Sequence, residues 1–97
     1  MIEFTQKTNR GDFMKIYGSM LCPDCVDCCA AYDKAGMEYT FLNITEDLRA
    51  LKEFLHLRDN SVLFDPVREN KAIGIPYIVT EDGVETLDWE SLLPKTE

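Results

Sequence analysis

No apolar run in this sequence approaches the ~20 residues that a membrane span needs. The opening MIEFTQKTNRGDF also lacks the apolar core of ~7–15 residues that marks a secretory signal. The expected location is therefore the cytoplasm, away from membranes. Positive charge is scarce as well: ten lysines and arginines face eighteen aspartates and glutamates, a formal net charge of −8. A nucleic-acid site needs a basic patch along the phosphate backbone, so nucleic acid is excluded as an expected partner. The same acidity disfavours anionic membranes and favours neutral or basic partners. Histidine and tryptophan occur once each. His56 falls on a predicted helix far from the cysteines and reads as a solvated residue, and Trp89 reads as packing. With five glycines and four prolines, the chain shows no repeat, linker or low-complexity tract.

What is present suffices for one core. Of the 97 residues, 45% are hydrophobic, enough for a single domain that needs neither a disulfide scaffold nor a metal to fold. Residues 1–12 show no periodicity, and residues 1–13 are expected to form a loosely ordered extension to one domain over residues 14–97. FMKIY (Phe13–Tyr17) is a short β-prone run ended by Gly18-Ser19. Pro23 suits the first turn of a helix, where its missing N–H costs nothing. Helical composition runs from Asp24 to Ala35, and Gly36 is a natural stop. EYTFLNI (Glu38–Ile44) predicts a second strand. Thr45 is the expected cap of a helix with Glu46 and Asp47 in its first turn and Leu48, Leu51, Phe54 and Leu55 on its apolar face. FDPVREN offers an Asp-Pro start for a helical turn. IPYIVT (Ile75–Thr80), EDG and VETL predict a third strand and a hairpin to a fourth, and DWESLLP a short closing helix. Strand–helix–strand implies a parallel crossover, and the order βαβαββα predicts an α/β fold with a four-stranded mixed sheet flanked by helices.

All four cysteines, Cys22, Cys25, Cys28 and Cys29, lie within eight residues. In Cys22-Pro23-Asp24-Cys25, the first thiol sits just ahead of a predicted helix, where unpaired N–H groups and the helix dipole favour its nucleophilic thiolate form. The second lies in the first turn, near enough to close a disulfide and release a mixed-disulfide intermediate. A strand before the motif and a helix after it make this a redox signature. The alternative is an iron–sulfur or other metal carrier using Cys22 with neighbouring thiols. A four-thiol site needs convergence on one point, whereas the helical pattern spreads these cysteines along an axis. At ~100° per residue, Cys25, Cys28, Cys29, Tyr32 and Ala35 share one side. Cys28 and Cys29 are expected to be packing thiols.

KIYGSMLCPDCVDCCAAYDKAGMEYTFLNI resembles the opening of a glutaredoxin, within the thioredoxin-fold superfamily, and GIPYIVTEDGVETLDW resembles the second half of that fold. The resemblance covers residues 14–93. It implies a thioredoxin fold, with Cys22 as the nucleophile, Cys25 as the resolving thiol and Pro76 as a cis proline facing them. Pro23, Asp24, Ile75, Pro76 and Tyr77 would border the substrate, although a core position for Tyr77 is the equal alternative. The implied activity is reduction of protein or small-molecule disulfides by a monomer. Glutathione or a flavin-dependent disulfide reductase would recycle it, with no tightly bound cofactor and no metal. Ser19 stands where glutaredoxins commonly carry a lysine, and TLDWESL lacks their Gly-Gly. Both departures predict a degraded glutathione site.

Overall fold

The computed structural model describes residues 14–94; the expected extension over residues 1–13 lies outside the described residues. Strand β1 (Met14–Gly18) alternates, burying Ile16 and Tyr17 on opposite faces. Helix α1 (Pro23–Lys34) starts at Pro23 rather than Asp24, because Cys22 keeps an extended backbone as its N-cap and proline occupies the first helical position. It stops as expected. Gly36 has φ +74, and the Met37 N–H donates to the Tyr32 carbonyl at 3.0 Å, closing the last turn in a left-handed glycine cap. Cys25, Cys28, Cys29 and Tyr32 are buried on one side of α1. Ala35, expected with them, is exposed because the helix has ended.

Strand β2 (Tyr39–Asn43) runs parallel to β1, in register from Met14–Tyr39 to Gly18–Asn43. Helix α2 (Leu48–Asn60) begins later than its sequence suggests. Its cap is Asp47, whose carboxylate accepts from the N–H groups of Arg49 and Ala50. Thr45 does not cap it, because its hydroxyl is engaged with Asn43. The apolar face shifts accordingly. Ala50 and Phe54 are buried with Leu51 and Leu57 packed beside them, while Leu48 and Leu55 face outward. A 3-10 turn (Val62–Phe64) leads into the short helix α3 (Asp65–Glu69), which starts at the expected Asp-Pro.

Strand β3 (Tyr77–Val79) is antiparallel to β1 and forms a hairpin with the expected fourth strand, β4 (Glu85–Thr86). It is shorter than the predicted 75–80, because Pro76 has no N–H for the ladder; the Ile75–Pro76 bond is cis. The expected closing helix is instead a 3-10 turn (Trp89–Leu92). Its bonds, Ser91 N–H to Asp88 O and Leu93 N–H to Glu90 O, span three residues, and Pro94 follows immediately. The result is a small α/β domain with a four-stranded mixed sheet, ordered β2-β1-β3-β4, and three helices.

The sheet separates two cores. On one face Tyr17, Phe54, Phe64 and Tyr77 interlock, with ring centroids 4.8 to 6.1 Å apart; such pairs add ~0.5–1.5 kcal/mol each beyond their buried area. On the other, Ile16 and Ile78 meet Cys28, Cys29 and Tyr32 of α1. Tyr32 donates a 2.7 Å hydrogen bond to the Trp89 carbonyl, which ties the closing turn to α1. Cys25 therefore sits at one end of a packed layer, next to the strand end of β1.

Candidate active site

The site grows from the C-terminal end of β1. Gly18 is needed there for space: a Cβ on it would lie 2.8 Å from the Cys25 sulfur and 3.3 Å from Phe41. The next four residues turn tightly around Ser19, which is only 2% exposed. Its carbonyl accepts from the Cys22 N–H at 3.1 Å, and its hydroxyl accepts from the Leu21 N–H at 3.0 Å, a serine turn within a β-turn. Met20 and Leu21 are pushed outward, and Leu21 is 84% exposed. Cys22 then caps α1 with its carbonyl, which accepts from Cys25 N–H at 3.0 Å and Val26 N–H at 3.1 Å. Its thiol makes no capping bond and is partly open to solvent.

Cys25 lies one turn on and is fully buried. Burial pushes its thiol well above the ordinary range. A backbone hydrogen bond from Ser19 works the other way, and a hydrogen bond to the Cys22 side chain raises it further. The physical content is a proton retained on Cys25 beside the more accessible sulfur of Cys22. All four thiols are free in the structure. Pro23 and Asp24 are exposed at the start of α1, next to Cys22.

Of the three expected substrate-side residues in the second half of the chain, two lie near this end of the sheet and one does not. The β1–β3 ladder ends at the Tyr17–Tyr77 pair, so Ile75 and Pro76 continue level with Gly18 and the thiol loop. Pro76 is buried and Ile75 half-buried. Tyr77 is a correction. It is 2% exposed, packed against Tyr17, Phe54 and Phe64 on the opposite face, and its hydroxyl donates to Glu85 at 2.7 Å. The alternation of a strand sends it there once Ile78 faces α1. A cleft of about 740 Å³ on that face, bordered by Lys15, Tyr17, Glu53 and His56, contains no cysteine.

Cys28 and Cys29 are buried at 0% and 9% exposure among Ile16, Tyr32 and Ile78. Burial, then the neighbouring Cys29, pushes the Cys28 thiol up to about 12; burial likewise raises Cys29. Neither is poised to ionise near neutrality. Among the described residues, no group of three or more histidine, cysteine, aspartate or glutamate side chains is arranged to hold a metal ion. Likewise, no helix is long and apolar enough to cross a membrane.

Two features of the site escaped the sequence reading. Thr45 reaches Ser19 from the loop after β2, held by Asn43 at the strand's end: the Ser19 and Thr45 hydroxyls are 2.8 Å apart, and Asn43 Oδ1 accepts from both the Thr45 hydroxyl at 2.7 Å and its N–H at 3.0 Å. The Asn-x-Thr spacing was legible as a local side-chain turn, but its meeting with Ser19 was not. Arg58 of α2 donates from Nε to the Ile73 carbonyl at 3.0 Å and from Nη2 to the Ala72 carbonyl at 2.6 Å. It thus braces the segment leading to Ile75 and Pro76. Nothing in a solitary arginine announces that.

No family model matches the chain, and no solved structure matches it. An uncharacterized protein of Haemophilus influenzae is 37% identical over 71 residues, covering 73% of this chain and 83% of that protein. The chain belongs to one family with that Haemophilus influenzae protein.

Proposed function

We propose that this protein is a glutaredoxin-like thiol–disulfide oxidoreductase with a thioredoxin fold, acting as a cytoplasmic monomer through Cys22 and Cys25. The observation that carries the reading is the asymmetry of the pair: a partly exposed Cys22 at the N-cap of α1, one turn before a fully buried Cys25 whose thiol burial pushes above its ordinary range. The parallel β1–α1–β2 unit and the antiparallel β1–β3–β4 arm support the fold. The Cys22 thiolate attacks one sulfur of a substrate disulfide, and the other substrate sulfur leaves as a thiolate that takes a proton from solvent. Cys25 then gives up its proton and attacks the Cys22 sulfur of the mixed disulfide. The second substrate thiol leaves, and a Cys22–Cys25 disulfide closes. Two electrons have passed to the substrate, and glutathione or a flavin-dependent reductase returns them to the dithiol.

The test is turnover of a protein disulfide with each regenerating system. Cys22→Ser should abolish reduction, and Cys25→Ser should accumulate a mixed disulfide through Cys22. Full activity in Cys22→Ser would overturn the proposal. So would an iron–sulfur chromophore or stoichiometric zinc in freshly purified, anaerobic protein.

A further inference from the structure

Resting on the dithiol reading, we infer that the substrates of Cys22 are disulfides carried on basic, apolar-flanked peptide segments, selected by an apolar collar and a carboxylate rim around the thiol. The collar is seen in what the fold leaves uncovered. Eight large apolar side chains are exposed among the described residues, and four of them, Met20, Leu21, Val26 and Leu48, gather at the thiol end of the sheet. Met20 and Leu21 immediately precede Cys22 in its turn, and Leu21 is the most exposed of the eight. Val26 lies one turn beyond, its N–H donating to the Cys22 carbonyl at 3.1 Å. Leu48 opens α2 three residues after Thr45, whose hydroxyl is 2.8 Å from that of Ser19. Exposed apolar groups scattered singly mean little, but a set gathered round one open thiol marks an interaction surface.

Charge decides which segment fits that surface. Residues 18–32 carry two acidic side chains, Asp24 and Asp27, and no lysine or arginine. Residues 43–48 carry Glu46 and Asp47 and again no cation, and residues 72–77, which include Ile75 and Pro76, carry no charge. All four acidic residues are exposed. The fold brings them to one end. Asp24 lies in the first turn of α1. The N–H groups of Glu46 and Asp47 donate to the Asn43 carbonyl at 3.3 and 2.9 Å, and Asn43 pairs in register with Gly18. Neighbouring strands stand ~4.8 Å apart, so both loops present carboxylates to whatever docks on Cys22. The nearest cations along the chain, Arg49 and Lys71, lie just outside these segments and are outnumbered four to two. An anionic disulfide is repelled by this rim, whereas one flanked by lysine or arginine is drawn to it and oriented by it.

The test mixes reduced, reductant-free full-length protein with an excess of a synthetic peptide disulfide in the absence of oxygen. Each peptide is a symmetric dimer joined through its cysteine, with leucine beside the cysteine and either lysines or glutamates as the outer flanks. Cys22 attacks one peptide sulfur, and the other peptide leaves as a thiolate that takes a proton from solvent. Cys25, losing its proton, displaces the second peptide and closes the Cys22–Cys25 disulfide, so the dithiol itself supplies both electrons. Dividing each initial rate by that of 2-mercaptoethanol with the same peptide cancels the intrinsic reactivity of the disulfide. The lysine peptide should react on the order of tenfold faster at low salt, and the ratio should shrink toward about twofold at high salt. Asp24→Asn, Asp27→Asn and Glu46→Gln combined should cut the low-salt ratio to about threefold. Any change in the Cys22 thiolate itself cancels in that ratio. Leu21→Ser should cut about threefold the advantage of leucine over glycine beside the peptide cysteine. Equal normalised rates, a faster glutamate peptide, a ratio indifferent to the three substitutions or an undiminished leucine advantage in Leu21→Ser overturns the inference and leaves the dithiol reading standing. Reduction of neither peptide, or undiminished reduction by Cys22→Ser, overturns the dithiol reading and this inference with it.

Discussion

Gly18→Ala is the sharpest probe of how the sheet end and the dithiol fit together. Gly18 has no positive φ, so alanine brings no backbone strain and the perturbation is purely steric. The added methyl would stand 2.8 Å from the Cys25 sulfur, 3.3 Å from Phe41 Cε1 and 3.4 Å from Cys25 Cβ. Cys25 cannot yield freely, because it is fully buried and belongs to the first turn of α1, which is pinned by hydrogen bonds to the Cys22 carbonyl. Overpacking of this kind costs ~1–3 kcal/mol. For a domain of this size that corresponds to a fall in Tm of roughly 5–20 °C. Urea and thermal unfolding of the reduced protein measure it. The decisive version is a double-mutant cycle with Cys25→Ala, which deletes the sulfur at the tightest contact. Gly18→Ala should cost about 1 kcal/mol less in the Cys25→Ala background than alone, a coupling typical of touching residues. Additive costs would refute the reasoning and place the Cys25 sulfur away from Gly18.

Replacing Cys28 and Cys29 together with alanine should keep disulfide turnover within about threefold while lowering stability by ~1–2 kcal/mol, as for small deletions in a core; a loss of turnover equal to that of Cys22→Ser would refute their packing role. The same variant should blunt alkaline unfolding. Cys28 is raised from 9.0 to about 12 by burial, so below pH 9 both states hold the proton and stability is unaffected. Between pH 9 and 12 only the unfolded chain releases it, and stability falls as pH rises. Urea midpoints across that window should decline less steeply in the variant. Arg58→Ala should cost ~1–2 kcal/mol in urea unfolding through its lost bonds to the Ala72 and Ile73 carbonyls; lysine, which lacks the planar fork, should not restore the loss. Reduced glutathione, itself anionic, should bind weakly in a chemical-shift titration because Ser19 is buried and supplies no charge; saturation at micromolar concentration would contradict this.

Local chemistry settles much of this protein before any tertiary contact forms. Pro23 starts α1 and Gly36 ends it, because one residue needs no N–H and the other accepts a left-handed backbone. The three-residue spacing of Cys22 and Cys25 across that helix start brings the thiols together. The alternation in β1, the Asp-Pro turn at α3 and the β3–β4 hairpin follow from equally short-range preferences. Where two local options compete, the tertiary structure decides. Both Thr45 and Asp47 are good caps, and Asp47 wins because Thr45 is held between Asn43 and Ser19. In α2, Phe54 is buried and Leu51 packed beside it as their spacing suggested, while Ala50 and Leu57 take the places expected for Leu48 and Leu55. Tyr77 is apolar and polar at once, so only the register of β3 against β1 assigns it to the core. Ser19 is separated by 26 residues from Thr45. No local rule connects them; the parallel pairing of β1 with β2 brings Gly18 level with Asn43, and the loops that follow the two strands meet.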